Sequence, residues 1–119
     1  LFQAQGAGNI DLEPPFDDSF DFLHVSDAVQ TVQSAVESRR GGLWNVGGGK
    51  LITIRELAET CARHLGAQVT LSSATPSRPK QTINWVDDRR ARTELGHQNR
   101  MGIDEGISEL GRSLTVVKV

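Results

Sequence analysis

Every apolar stripe in this sequence is short, and glycine stops most of them. The clearest case lies between Thr53 and Gly66. Thr53-Ile54-Arg55-Glu56 is a capping box, in which the Thr53 hydroxyl takes the amide of Glu56 and the Glu56 carboxylate reaches back. Ile54, Leu57, Ala58, Cys61, Ala62 and Leu65 then recur at helical spacing, and Gly66 suits the position after the helix. Ala28, Val29, Val32, Ala35 and Val36 predict another helical face, capped by Ser26 or Asp27. Arg39-Arg40 suit its negative end, and Gly41-Gly42 stop it. Asp87 or Asp88 would cap a short helix through Ala91 and Leu95, ended by Gly96. A last helix is expected from about Ile103, with Ile103, Ile107, Leu110 and Leu114 on one face.

The extended segments are brief. Ile10 and Leu12 alternate with polar neighbours and read as an edge strand, before Pro14-Pro15 ends regular structure. Asp21-Phe22-Leu23-His24-Val25 reads as a short, largely buried strand, Gly42 to Gly47 as a second, and Val69 with Leu71 as a third. Ile83 to Val86 are expected to be extended. The tail Val116 to Val119 is too short to assign. The class is α/β, with short strands and about four helices, and residues 1–119 read as a single region. Stripes this narrow call for a neighbouring domain to complete the core.

Composition removes whole classes of function. A formal net charge of −2 over 119 residues gives no basic footprint for nucleic acid. No apolar run approaches the ~20 residues that span a bilayer. The single cysteine, Cys61, makes neither an internal disulfide nor a zinc cage, and its helical register marks it as a core residue. A reducing, cytoplasmic setting with no signal peptide is expected. The sequence contains no tyrosine.

Several motifs begin and fail. Gly47-Gly48-Gly49-Lys50 suggests a phosphate loop, but Trp44 stands where that motif's first glycine belongs, and Leu51 replaces its hydroxyl residue. Gly6-Ala7-Gly8 opens like a dinucleotide fingerprint, but Asp11 occupies the last glycine position. His24, His64 and His97 have no metal-ligand spacing, so no metal is expected, and His24 reads as a satisfied core histidine. Asp17, Asp18 and Asp21 lack the glycine and glutamate of a calcium loop and read as a solvated acidic turn. No Gly-x-Ser-x-Gly elbow occurs.

Three stretches taken together carry a resemblance. They are Asp21 to Val29, then Gly41 to Gly49 followed by Ile52 to Ala58, then Arg78-Pro79 followed by Asp87-Asp88 and Glu94-Leu95-Gly96. In this order the chain, from about Gly8 to Leu114, resembles the C-terminal part of the extended short-chain dehydrogenase/reductases, the NAD-dependent epimerase/dehydratase family acting on nucleotide sugars. The resemblance implies a small substrate-binding subdomain that lacks the Rossmann domain. That absent domain would bind NAD or NADP and carry the glycine fingerprint and a Tyr-x-x-x-Lys pair. With no tyrosine, the chain is expected to hold no catalytic residue and to bind no cofactor itself.

The resemblance also assigns residues. Arg78 matches the arginine that meets the nucleotide diphosphate, a role suited to a planar, bidentate guanidinium. Lys80 and Gln81 depart from the Gly-Asp that usually follows, and Lys80 adds a positive charge near the phosphates. Phe20 stands where the family often has a second arginine, leaving it to pack or stack. Asn45, with Trp44 and the glycine loop, matches a strand end where it either bonds loop backbone or touches substrate. Asp88 matches the aspartate before the Glu-Leu-Gly helix and reads as a cap. The implied function is the substrate-binding part of an NAD(P)-dependent nucleotide-sugar epimerase or dehydratase, with the missing Rossmann domain and a nucleotide sugar as its partners. The alternative is a free-standing, non-catalytic module that binds or self-associates into a homo-oligomer.

Overall fold

The computed structural model describes residues 8–76, 78–79 and 84–116. Lys80, Gln81, Ile83, the Gly6-Ala7 pair and the tail beyond Val116 fall outside them. Among the described residues the elements run β1 (Asn9–Leu12), β2 (Ser19–Asp21), α1 (Val25–Ser38), β3 (Leu51–Thr53), α2 (Ile54–Leu65), β4 (Gln68–Leu71), α3 (Arg89–Leu95) and α4 (Ile103–Val116). The strands form two separate pairs. β1 runs parallel to β4, with Ile10 beside Val69, and β2 runs antiparallel to β3, with Phe20 beside Ile52. This is a small α/β unit of short strands and helices, as the patterning implied.

Helix α2 is built as its sequence reads. Thr53 Oγ1 accepts the Glu56 amide at 3.0 Å, and Glu56 Oε2 accepts the Thr53 amide at 2.7 Å. These bonds hold the exposed Glu56 carboxyl below the usual carboxylate range. Gly66 closes the helix in the left-handed conformation, φ 66°, its amide donating to Ala62. The inward face of α2 supplies Ala58, Cys61 and Ala62 to a core completed by Ile10 of β1 and Ile107 of α4. Burial pushes the Cys61 thiol up, as expected for a packing residue rather than a nucleophile.

The register of α4 differs from the expected stripe. Ile107 is buried, but Leu110 is 47% exposed, and Gly111 takes the inward position instead. A Cβ on Gly111 would lie 3.6 Å from Leu65, an ordinary contact distance, so the position faces α2 without requiring glycine. Arg63 and His64 of α2 both pair with Asp104 at the start of α4 and hold that carboxyl low.

Helix α1 reverses its expected orientation. Val25, Val29, Val32 and Val36 are 60–73% exposed, while Asp27 and Thr31 are buried. Asp27 Oδ2 accepts the amides of Arg100 and Met101 at 3.1 and 3.0 Å, which draws the polar edge inward. His24, not Ser26 or Asp27, is the cap residue, and its Nδ1 takes the Ser26 amide at 3.1 Å. At the other end Arg39, not glycine, adopts the left-handed conformation, φ 54°.

Two expected strands are corrected. The extended run begins earlier than Asp21–Val25, as β2, because pairing with β3 stops at Asp21 and the chain then turns into the α1 cap. Phe22 is 37% exposed rather than buried. Gly42 to Gly47 joins no ladder among the described residues, and Leu43 is 80% exposed. A strand exists only where a neighbour takes its backbone bonds, and this segment has no such neighbour here. Asn84 to Val86 likewise pairs in no sheet.

The molecule is a slab, 49 × 39 × 18 Å, with a radius of gyration of 16.9 Å. A compact chain of this length would have one of about 13–14 Å. Its apolar core is correspondingly thin, and the valine face of α1 lies outside it.

Candidate functional site

The acidic turn before β2 is only partly solvated: Asp17 is half exposed and Asp18 is not exposed at all. Asp17 accepts two bonds from the Arg55 guanidinium, at 3.1 and 3.3 Å, and that guanidinium also lies over the Phe16 ring. Asp18 is fully buried, and Nη2 of Arg78 approaches its Oδ2 at 2.6 Å. The contact is a close charge pair whose N–H is not aimed along a hydrogen-bond line. The burial is forced locally: the Asp18 carbonyl takes the Ile54 amide at 3.0 Å, which folds the turn onto the start of α2.

Residues 84–86 lie along β2. Asn84 Nδ2 donates to the Ser19 carbonyl at 2.5 Å, and the Val86 amide approaches Asp21 Oδ2 at 3.4 Å. The other oxygen of Asp21 accepts the Gly48 amide at 2.6 Å. Asp21 thus ties β2 to the glycine loop on one side and to the Asn84–Val86 segment on the other. The loop must be glycine here, because a Cβ on Gly48 would lie 1.6 Å from the Phe22 carbonyl oxygen. Glycines that permit this contact, not phosphate binding, account for Gly47-Gly48.

A second buried polar knot lies behind the loop. His97 is 3% exposed, with Nδ1 2.6 Å from Thr31 Oγ1 and Nε2 3.1 Å from the Gly47 carbonyl. Asp88 is not a side-chain cap. Its carboxylate accepts from Arg92 at 2.9 Å and lies 3.7 Å from His97, while Asp87 takes the Arg89 amide. The paired Arg89 guanidinium holds the Asp87 carboxyl low.

The expected site residues therefore separate. Arg78 sits at the edge of β2, with 45% of its side chain exposed. Asn45 is exposed on the segment after α1 and makes no hydrogen bond among the described residues, so its expected bond to loop backbone is not made. Lys80 lies outside the described residues. Phe20 packs against Phe22, ring centroids 6.0 Å apart. Sequence reasoning missed Asp18 and His97 as interior residues. The one available signal was the density of aspartate and arginine with no basic excess, which implies pairing without saying who pairs.

A cavity of about 610 Å³ opens between the start of α1, Lys50 and the first turns of α4, lined largely by apolar groups with His24 and Glu105 at its walls. Among the described residues, no group of three His, Cys, Asp or Glu side chains could hold a metal. No helix there is long and apolar enough to cross a membrane.

No family model matches the chain. Over 90 residues it is 33% identical to the dTDP-glucose 4,6-dehydratase of Streptomyces niveus, covering 74% of this chain and 27% of that protein. It is 27% identical to the dTDP-4-dehydro-6-deoxyglucose reductase of Escherichia coli over 106 residues, 88% of this chain and 34% of that protein. Among solved structures it superposes on dTDP-glucose 4,6-dehydratase from Bacillus anthracis, with a TM-score of 0.78 at 17% identity, covering 98% of this chain and 37% of that one. For UDP-glucuronic acid 4-epimerase from Bacillus cereus the TM-score is 0.73 at 20% identity, covering 91% and 35%. The chain spans 27–34% of the length of the curated relatives it matches. By sequence and by fold, it belongs to the extended short-chain dehydrogenase/reductases, the NAD-dependent epimerase/dehydratase family, and matches their C-terminal region.

Proposed function

We propose that this chain is the substrate-binding part of an NAD(P)-dependent nucleotide-sugar epimerase or dehydratase and that it does no chemistry alone. The observation that carries the reading is the outward valine face of α1, with the segment Gly42 to Gly47 in no ladder among the described residues. A helix with a buried polar edge and an exposed apolar stripe is half of an interface. An extended segment without a ladder lacks its neighbouring strand. The relatives are about three times longer, and the family resemblance implies the occupant, a Rossmann domain carrying NAD or NADP and the reacting groups. In that assembly residues 1–119 form one substrate-binding region, and its work is to hold the nucleotide end and contribute binding energy to closure.

Arg78 is the principal contact to the nucleotide diphosphate. Lys80 adds positive charge, and exposed Asn45 is left available to substrate. The reading is supported by the half-exposed guanidinium, which is held against the buried Asp18 carboxylate just before β2. The buried thiol and the lack of any second cysteine suit a reducing, cytoplasmic setting.

The test is a paired titration of the chain alone and of the full-length protein that carries it. UDP or dTDP should shift NMR signals around Arg78, and NAD(H) should bind only the full-length protein. Tight NAD binding or substrate turnover by the 119-residue chain would overturn the reading. The same valine face admits a second reading, a self-associating module. Sedimentation of the chain as a tight dimer, dissociated by Val29→Ser with Val32→Ser, would favour it.

A further inference from the structure

We propose that Asp18 is a positioning residue for Arg78: its buried carboxylate holds the guanidinium from behind, so that the exposed part of the fork meets a ligand diphosphate. The inference rests on the reading of Arg78 as a phosphate contact and adds what aims it.

The asymmetry of the pair carries the argument. Asp18 has no exposed surface, whereas 45% of the Arg78 side chain reaches solvent. A ligand can therefore approach the arginine but not its carboxylate. Among the described residues, Nη2 lies against Asp18 and Nη1 meets the Pro79 carbonyl at the long distance of 3.5 Å. A guanidinium has five N–H donors, so this leaves donors for a second anion. Nor is the pair readily exchanged on binding. A carboxylate buried without a cation is costly, so Asp18 keeps its hold when phosphate arrives.

The surroundings make the anchor stiff. Asp18 is fixed through its own carbonyl to Ile54, at the start of α2. The chain beyond Arg78 is held to the same strand by Asn84 on Ser19 and by Val86 on Asp21. An arginine on a segment flanked by Pro76 and Pro79 thus takes its direction from the buried carboxylate beside it. Phe20 stands between Ser19 and Asp21 in the same run, so no second cation from this strand shares the task. The aim of this arginine therefore bears directly on the diphosphate contact.

A double-mutant cycle on the full-length protein tests this, read as calorimetric affinity for UDP and dTDP. Arg78→Ala should weaken binding at least tenfold, about the loss of one charge-assisted contact. Asp18→Asn removes the anchoring charge at nearly constant shape and should weaken binding about five- to tenfold. The double variant should bind no more weakly than Arg78→Ala alone, because Asp18 acts only through Arg78. Additive losses would overturn the proposal, since a general structural role predicts them. Unchanged or tighter binding by Asp18→Asn would also overturn it, the latter by showing that the carboxylate restrains the arginine. An unaltered affinity in Arg78→Ala would remove the phosphate reading itself, a failure distinct from that of the anchor. If Asp18→Asn does not fold, guanidinium NMR of the unmodified protein decides. Held Arg78 shows hindered rotation and resolved Nη signals that move on UDP addition, whereas a freely averaged, unresponsive guanidinium overturns the anchor.

Discussion

Helices α1 and α2 carry similar apolar periodicity and meet opposite fates. α2 turns Ala58, Cys61 and Ala62 into the core, against Ile10 and Ile107. α1 turns Val29, Val32 and Val36 to solvent and buries Asp27 and Thr31. The difference lies in what surrounds each helix. α2 lies between β1, β4 and α4, all supplied by this chain. α1 has α3 and the Arg100-Met101 amides on its polar side, while its valines stay largely exposed. An apolar stripe announces that a face is to be covered, but not by which polypeptide.

The contrast is open to measurement. Ile107→Ala opens the α2–α4 core and should cost about 2–5 kcal/mol in the chain itself, read by urea unfolding. A loss below 1 kcal/mol would mean that the core is not a cooperative unit. Val29→Ser with Val32→Ser should change the stability of the chain alone by no more than about 0.5 kcal/mol. In the full-length protein the same pair should cost about 3 kcal/mol, since burying a valine contributes roughly 1.5 kcal/mol. Equal effects in the two contexts would erase the contrast.

Smaller effects come from the helix ends. Thr53→Ala removes the capping box of α2 and should cost about 1 kcal/mol at neutral pH. The pH dependence has a fixed sign. Because the folded Glu56 carboxyl is held below its ordinary 4.5, its contribution is present above that value. It is lost as pH falls through the lowered folded value. Acid titration of the unfolding midpoint should show this loss in the wild type and a diminished one in Thr53→Ala. Arg39→Gly relieves the left-handed residue that ends α1 and should raise stability by up to about 1 kcal/mol, visible as a higher Tm. No gain would mean that the arginine side chain offsets its own backbone strain.

The legibility of the chain follows the range of the forces involved. The α2 cap, its glycine stop and the β1 and β4 alternation are local and could be read directly. The shift of β2 toward Ser19 was not legible, because the ladder with β3 sets its ends. The Gly42–Gly47 strand was misjudged because its side-chain pattern is strand-like while its backbone partners are absent among the described residues. At the site, Arg78 was nameable through the family resemblance, but its partner was not. Asp18 sits in a run of acidic residues that looks solvated, and only the fold of the turn onto α2 buries it. Asp88 does stand at the N-cap of α3, but its carboxylate pairs with Arg92 and lies near His97 instead of taking a helix amide.

The sequence by itself determined where helices start and stop, which faces are apolar, and that no tyrosine is present to act as a proton donor. Those properties are set by neighbours a few residues apart. Tertiary structure alone decided which apolar face is buried, which carboxylates lie inside, and that one of them holds Arg78. Burial and charge pairing depend on groups distant along the chain, and there the cost of an uncompensated interior charge selects the partner.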